Sequence, residues 1–73
     1  MFDFRMSTNE NFASFRDQAS GHFVFVDSFD NHEFSVRYGT MSESAYLGVI
    51  EADSDKVLND KLRELIRDRV QIR

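Results

Sequence analysis

The 73-residue chain predicts a small α+β fold, a single domain over residues 1–73 in the order β-α-β-β-β-α. Three observations lead there. Apolar and polar residues alternate on both sides of Asp30-Asn31, the period-two pattern of paired strands. Ser7-Thr8-Asn9-Glu10 has the capping-box pattern that opens a helix. After Asp53-Ser54-Asp55, apolar residues recur at helical spacing almost to the C-terminus.

Taken in order, Phe2, Phe4 and Met6 alternate with Asp3 and Arg5, so a short N-terminal strand with one apolar face is expected. Ser7 then caps a helix and Glu10 reaches back to it. Phe12, Phe15 and Ala19, spaced three and four apart, form its apolar stripe, and Gly21 marks its end. The stretch His22 to Tyr38, HFVFVDSFDNHEFSVRY, reads as two strands folded back through a tight turn. Residues 39–44 read as a loop, and the apolar run 45–52 completes a three-stranded antiparallel meander. Asp53, Ser54 and Asp55 supply N-cap oxygens and negative charge to a last helix. Its stripe is Val57, Leu58, Leu62, Leu65 and Ile66, with Val70 at the end. Arg67, Arg69 and Arg73 place positive charge where the helix dipole favours it.

The hairpin carries the expected core. Asp and Asn both tolerate the left-handed backbone of a two-residue turn. With Asp30-Asn31 as that turn, Phe29 faces His32, Asp27 faces Phe34, Phe25 faces Val36 and Phe23 faces Tyr38. Directly opposed residues share a face. The large aromatics of both strands then lie together, at the cost of one acid, Asp27, among them. Val24, Val26, Ser28, Glu33, Ser35 and Arg37 fall on the other side. Both helices are expected on the aromatic face, with the N-terminal strand added at a sheet edge of this protomer or of a partner. The apolar residues left on the second face argue that a symmetric partner covers it, which predicts a homodimer.

Size and composition narrow the possibilities. A chain of this length buries only about 60% of its unfolded surface, so its stability is marginal. Cysteine is absent, so neither disulfides nor thiolate metal sites reinforce it. Eight phenylalanines and self-association are the remaining sources of buried area. No apolar run approaches the roughly 20 residues of a membrane span. MFDFRMSTNE carries acid where a secretory leader wants base. The expected setting is cytoplasmic, in a host cell if the protein is viral, with no membrane partner.

The net charge of −4 hides a gradient along the chain. Between Asp27 and Asp55, the acids Asp27, Asp30, Glu33, Glu43, Glu51, Asp53 and Asp55 face Arg37 alone. From Lys56 onward the balance turns basic.

Catalytic candidates are few. His22 and His32 stand at opposite ends of one hairpin, roughly 33 Å apart at strand rise, so they do not share a site within one protomer. His32 beside Asp30 and Glu33 makes a weak metal or acid–base cluster, more simply read as a polar turn. The acids of residues 53–64 resemble a calcium loop but have Leu58 where the sharp turn needs glycine. The three glycines, Gly21, Gly39 and Gly48, form no phosphate-binding loop. No enzymatic activity, metal or cofactor is therefore expected.

Two resemblances bear on function. The order helix, three strands, helix over residues 8–70 is similar to that of double-stranded-RNA-binding domains and of some small toxins. Those RNA binders place lysines at the start of the last helix, where this chain has Asp53, Ser54 and Asp55. Nucleic-acid binding is then the alternative reading, through Arg63, Arg67, Arg69 and Arg73. In size and charge the chain resembles small acidic phage proteins that inhibit host nucleases, polymerases or CRISPR effectors, although no motif carries that likeness. The leading expectation is a non-enzymatic module that binds a protein with a basic surface. Its contacts would be Asp27, Asp30, Glu33, Glu43, Glu51, Asp53 and Asp55, set out as a DNA-like run of charge.

Overall fold

A computed structural model describes residues 4–69. Its strands are β1 (Phe12–Arg16), β2 (Phe23–Ser28), β3 (Glu33–Gly39) and β4 (Ser44–Glu51), followed by one helix, α1 (Asp55–Arg69). The strands form a single antiparallel sheet in the order β1-β2-β3-β4. The class is α+β, but the observed order is β-β-β-β-α. The element order expected from the sequence, and with it the topological likeness to double-stranded-RNA-binding domains, does not hold.

The first correction concerns residues 7–19. They form a turn and strand β1, where a helix was expected. Half of the capping box is made all the same: Ser7 N–H donates to Glu10 Oε1 at 2.8 Å, while Ser7 Oγ accepts from Asn9 N–H at 3.2 Å and not from Glu10 N–H. They close a turn, with Glu10 N–H donating to the Ser7 carbonyl at 3.0 Å. The side-chain chemistry of Ser-x-x-Glu satisfies an isolated turn as well as a helix start. Beyond it, the sheet edge offers Phe12–Arg16 a full row of ladder partners on β2, and that tertiary offer outweighs local propensity. Asp17 closes the next corner, its Oδ1 accepting from Ala19 N–H and its Oδ2 from Ser20 Oγ. Gly21, at φ +75°, completes the reversal into β2.

The N-terminal segment is not a strand over its described residues, and Phe2 lies outside them. Phe4 and Met6 are nevertheless buried, Phe4 edge-on to Phe15 with ring centroids 5.0 Å apart. Asn59 of α1 holds the segment in place: its Oδ1 accepts from Met6 N–H and its Nδ2 donates to the Met6 carbonyl.

The second correction is the hairpin register. Ser28 pairs with Phe34, Val26 with Val36, Val24 with Tyr38 and Phe25 with Arg37. This is one residue off the expected pairing, and a slip of one exchanges the two faces. The core face therefore carries Val24, Val26, Phe34 and Val36, all fully buried. Phe23 and Phe25 lie on the opposite, open face, stacked on each other at 5.5 Å. Asp27 shares that face and pairs with Arg37 at 3.5 Å. The acid in the core that the expected register required is thereby avoided.

The turn explains the slip. It is longer than two residues. Ser28 Oγ donates to the Glu33 carbonyl and accepts from Asn31 N–H, while Asp30 Oδ1 accepts from the N–H of His32 and of Glu33. Asn31 takes the left-handed conformation at φ +62°.

The strand and helix expected at the C-terminal end are present. β4 spans Ser44–Glu51 with an irregularity opposite Val36 and Arg37. Ser54 caps α1, its Oγ accepting from Val57 N–H at 3.2 Å. Leu58, Leu62 and Ile66 are buried against the valine face, Leu65 is half-buried and Val57 is exposed. The single helix covers that face alone, rather than two helices covering the aromatic one. Val70 and Arg73 lie outside the described residues.

Candidate protein-binding surface

The register brings most of the predicted acids to one end of the sheet. Glu33 stands directly opposite Glu51 on the open face, between neighbouring strands. Asp30 lies in the turn immediately before Glu33. Asp53 and Asp55 follow where β4 passes into α1. Asp27 sits a little further along the open face, paired with Arg37. Glu43 is separated from the rest, because its loop joins β3 to β4 at the far end.

His32 stands within this group, although not with the partners its neighbours in sequence suggest. Its Nδ1 lies 3.0 Å from Asp53 Oδ1 and its Nε2 lies 3.6 Å from Glu51 Oε2. Asp30 is turned to the backbone instead. The N–H groups of Glu33 and His32 hold its carboxyl below the usual carboxylate range. Asp55 accepts from the Thr8 N–H at 2.8 Å, which fastens the N-terminal segment to the start of α1. Among the described residues, no group of three or more His, Cys, Asp or Glu side chains is arranged to hold a metal ion. No serine or threonine hydroxyl among them is hydrogen-bonded to a histidine side chain. His22 is remote from His32, stacked on Tyr38 at 5.3 Å.

Two features of this end escape a reading of the sequence. Phe29, expected in the core, is fully exposed at the tip of the turn. The turn beneath it is well anchored. Asn31 Nδ2 donates to the carbonyls of Thr8 and Glu10, and Asn11 Nδ2 donates to Asn31 Oδ1 and to the Ser28 carbonyl. The signal was present in Ser28, a residue favoured at the first position of a turn, which starts the loop before Phe29. The other feature is the Glu33–Glu51 opposition. It joins residues 18 apart in sequence and becomes visible only once the register is known.

The described arginines of the alternative reading have partners within the chain. Arg63 pairs with Asp60 at 2.6 Å, Arg67 lies 3.6 Å from Asp68, and Arg69 donates to the Leu47 carbonyl at 3.3 Å. Lys56 joins the same Asp60 at 2.7 Å, and these two cations lower the Asp60 pKa, Lys56 foremost. No helix among the described residues is long and apolar enough to cross a membrane. In comparisons with protein families, curated proteins and solved structures, nothing matches this chain.

Proposed function

We propose that the chain is a non-enzymatic binding module whose acidic sheet end docks on a basic surface of another protein. The observation that carries the reading is the facing pair Glu33–Glu51, with Asp30, Asp53 and Asp55 at the same end of the sheet and the bare ring of Phe29 at the tip. Like charges directly opposed across strands destabilise a sheet. Folding gains nothing from that opposition, whereas a cationic partner would relieve it on contact. Phe29 supplies what charge alone lacks, an aromatic anchor for a desolvated pocket, ringed by polar groups.

The class of partner follows from the same chemistry. Basic grooves that accept rows of carboxylates are those that accept rows of phosphates. A host nucleic-acid-handling or defence protein fits, with this chain acting as its inhibitor. Steering by the acids speeds association and weakens with salt. The experiment is affinity capture from host extract, run side by side with wild type, a Glu33→Lys/Glu51→Lys double variant and Phe29→Ala. A protein held by wild type at low salt and lost from both variants supports the reading. An identical captured set for all three overturns it. Arg63, Arg67 and Arg69 support nucleic-acid binding less well, since Asp60 and Asp68 beside them offset their charge and no exposed aromatic of the described residues stands among them as Phe29 stands among the acids.

A further inference from the structure

A sheet of this order has two free edges, one on β1 and one on β4. Hydrogen bonds at the ends of the ladders show which groups point outward. Ala52 N–H donates to the His32 carbonyl, so residues 32 and 52 form a hydrogen-bonded pair. By alternation the main-chain groups of Glu51 and Val49 face away from β3. That edge is guarded by the helix: Lys61 Nζ donates to the Glu51 carbonyl at 2.7 Å, and Arg69 donates to the Leu47 carbonyl.

The other edge has no such guard among the described residues. Asp17 N–H donates to the His22 carbonyl, and Ser28 N–H donates to the Asn11 carbonyl, both in register with the β1–β2 pairing. Residues 11, 13, 15 and 17 therefore bond to β2, and the N–H and C=O groups of Phe12, Ser14 and Arg16 point out of the sheet. Among the described residues nothing bonds to them, and all three residues are exposed, Phe12 by 55%. An unguarded edge of this kind is a template for another strand.

We infer that β1 pairs antiparallel with β1 of a second copy, about a two-fold axis through Ser14. The outward groups then meet in register: Ser14 faces the partner's Ser14, and Phe12 faces the partner's Arg16. Each facing pair exchanges two main-chain hydrogen bonds. The side-chain pairing repeats one inside the protomer, where the Arg16 guanidinium lies 6.0 Å from the centroid of the Phe23 ring. No like charges are opposed. The result is a continuous eight-stranded sheet with both helices on one side and both acidic ends at the rim.

The open face fits a second copy less well than this edge does. Its centre holds the Asp27–Arg37 ion pair, which face-to-face packing would have to desolvate. Its acidic end would also be drawn into the contact.

Ser14→Pro separates the two modes. The proline removes an outward N–H and leaves the ladder to β2 intact, and edge strands tolerate that change. Light scattering is expected to give a dimer for wild type, a folded monomer for Ser14→Pro, and a dimer for the open-face variant Tyr46→Lys. Amide exchange on wild type gives a second readout that needs no variant. The amides of Phe12, Ser14 and Arg16 should be protected, and more so at higher protein concentration. A monomeric wild type overturns the inference. So does a dimer that Tyr46→Lys abolishes, or unprotected amides at these three positions in a dimeric sample.

Discussion

Replacing Glu33 by Lys should make the protein more stable while weakening its binding to a basic partner. Glu33 and Glu51 face each other directly on the open face of β3 and β4. Each cross-strand pair contributes roughly 0.2–1 kcal/mol, favourable for opposite charges and unfavourable for like ones. Turning repulsion into attraction therefore gains about 0.5–2 kcal/mol. Glu and Lys are both poor strand formers, so propensity nearly cancels in the difference. The main-chain bonds of residue 33, to Asp30 and Ser28, do not depend on its side chain. At about 4–8 °C per kcal/mol for a domain of this size, the melting temperature should rise by several degrees. Glu33→Gln, which only removes the repulsion, should gain about half as much. Added salt should shrink both gains, because it screens the wild-type repulsion. The assay is thermal denaturation by circular dichroism at low and high salt. An unchanged or lower melting temperature for Glu33→Lys at low salt would refute the claim that this end is held in electrostatic conflict. A cationic partner would then have no repulsion to relieve at this end.

The register makes a separate prediction about the core. Phe34→Ala should cost about 3–5 kcal/mol, a large share of the stability of so small a domain, whereas Phe25→Ala should cost about half as much or less. Chemical denaturation of both variants checks this, and equal losses would restore the aromatic-core register. Ser54→Ala should destabilise α1 by about 1 kcal/mol through loss of the N-cap, again read by denaturation. The Asp30 carboxyl is held below its ordinary range by the N–H groups of Glu33 and His32. Its contribution is present above the unfolded pKa of about 3.9 and lost as pH falls through the lower folded value. The difference in melting temperature between wild type and Asp30→Asn should therefore be steady near neutrality and close up below about pH 4. A gap that stays constant into strong acid would show that the charge on Asp30 plays no part.

Parts of the fold were legible because their signals are local. Ser54 caps α1 as its position suggests, and Leu58, Leu62 and Ile66 form the buried stripe that their spacing implies. The apolar run near residues 45–52 is a strand, and Asn31 takes the left-handed conformation for which Asn is suited. Other parts were ambiguous because one local pattern serves two structures. Phe12 and Phe15 fit a helix stripe, but on β1 they fall on opposite faces, and the bonds of Ser7 and Glu10 close a turn just as well. The candidate site was legible as a concentration of acid, though not as a geometry. Nothing local to Glu33 announces Glu51, and nothing local to His32 announces Asp53.

By itself, the sequence determined the α+β class, the C-terminal helix with its cap and buried stripe, and the acidity of the middle of the chain. These depend on neighbours a few residues apart, where propensity and capping act directly. The tertiary structure alone decided which face of the hairpin is the core. Both faces are apolar enough to bury, so alternation could not choose between them. The choice fell to the length of one turn, set by Ser28 and Asp30, and to the helix that packs on Val24, Val26, Phe34 and Val36. That choice turned Phe29 outward and set Glu33 against Glu51, which is how a folding detail came to shape the surface offered to a partner.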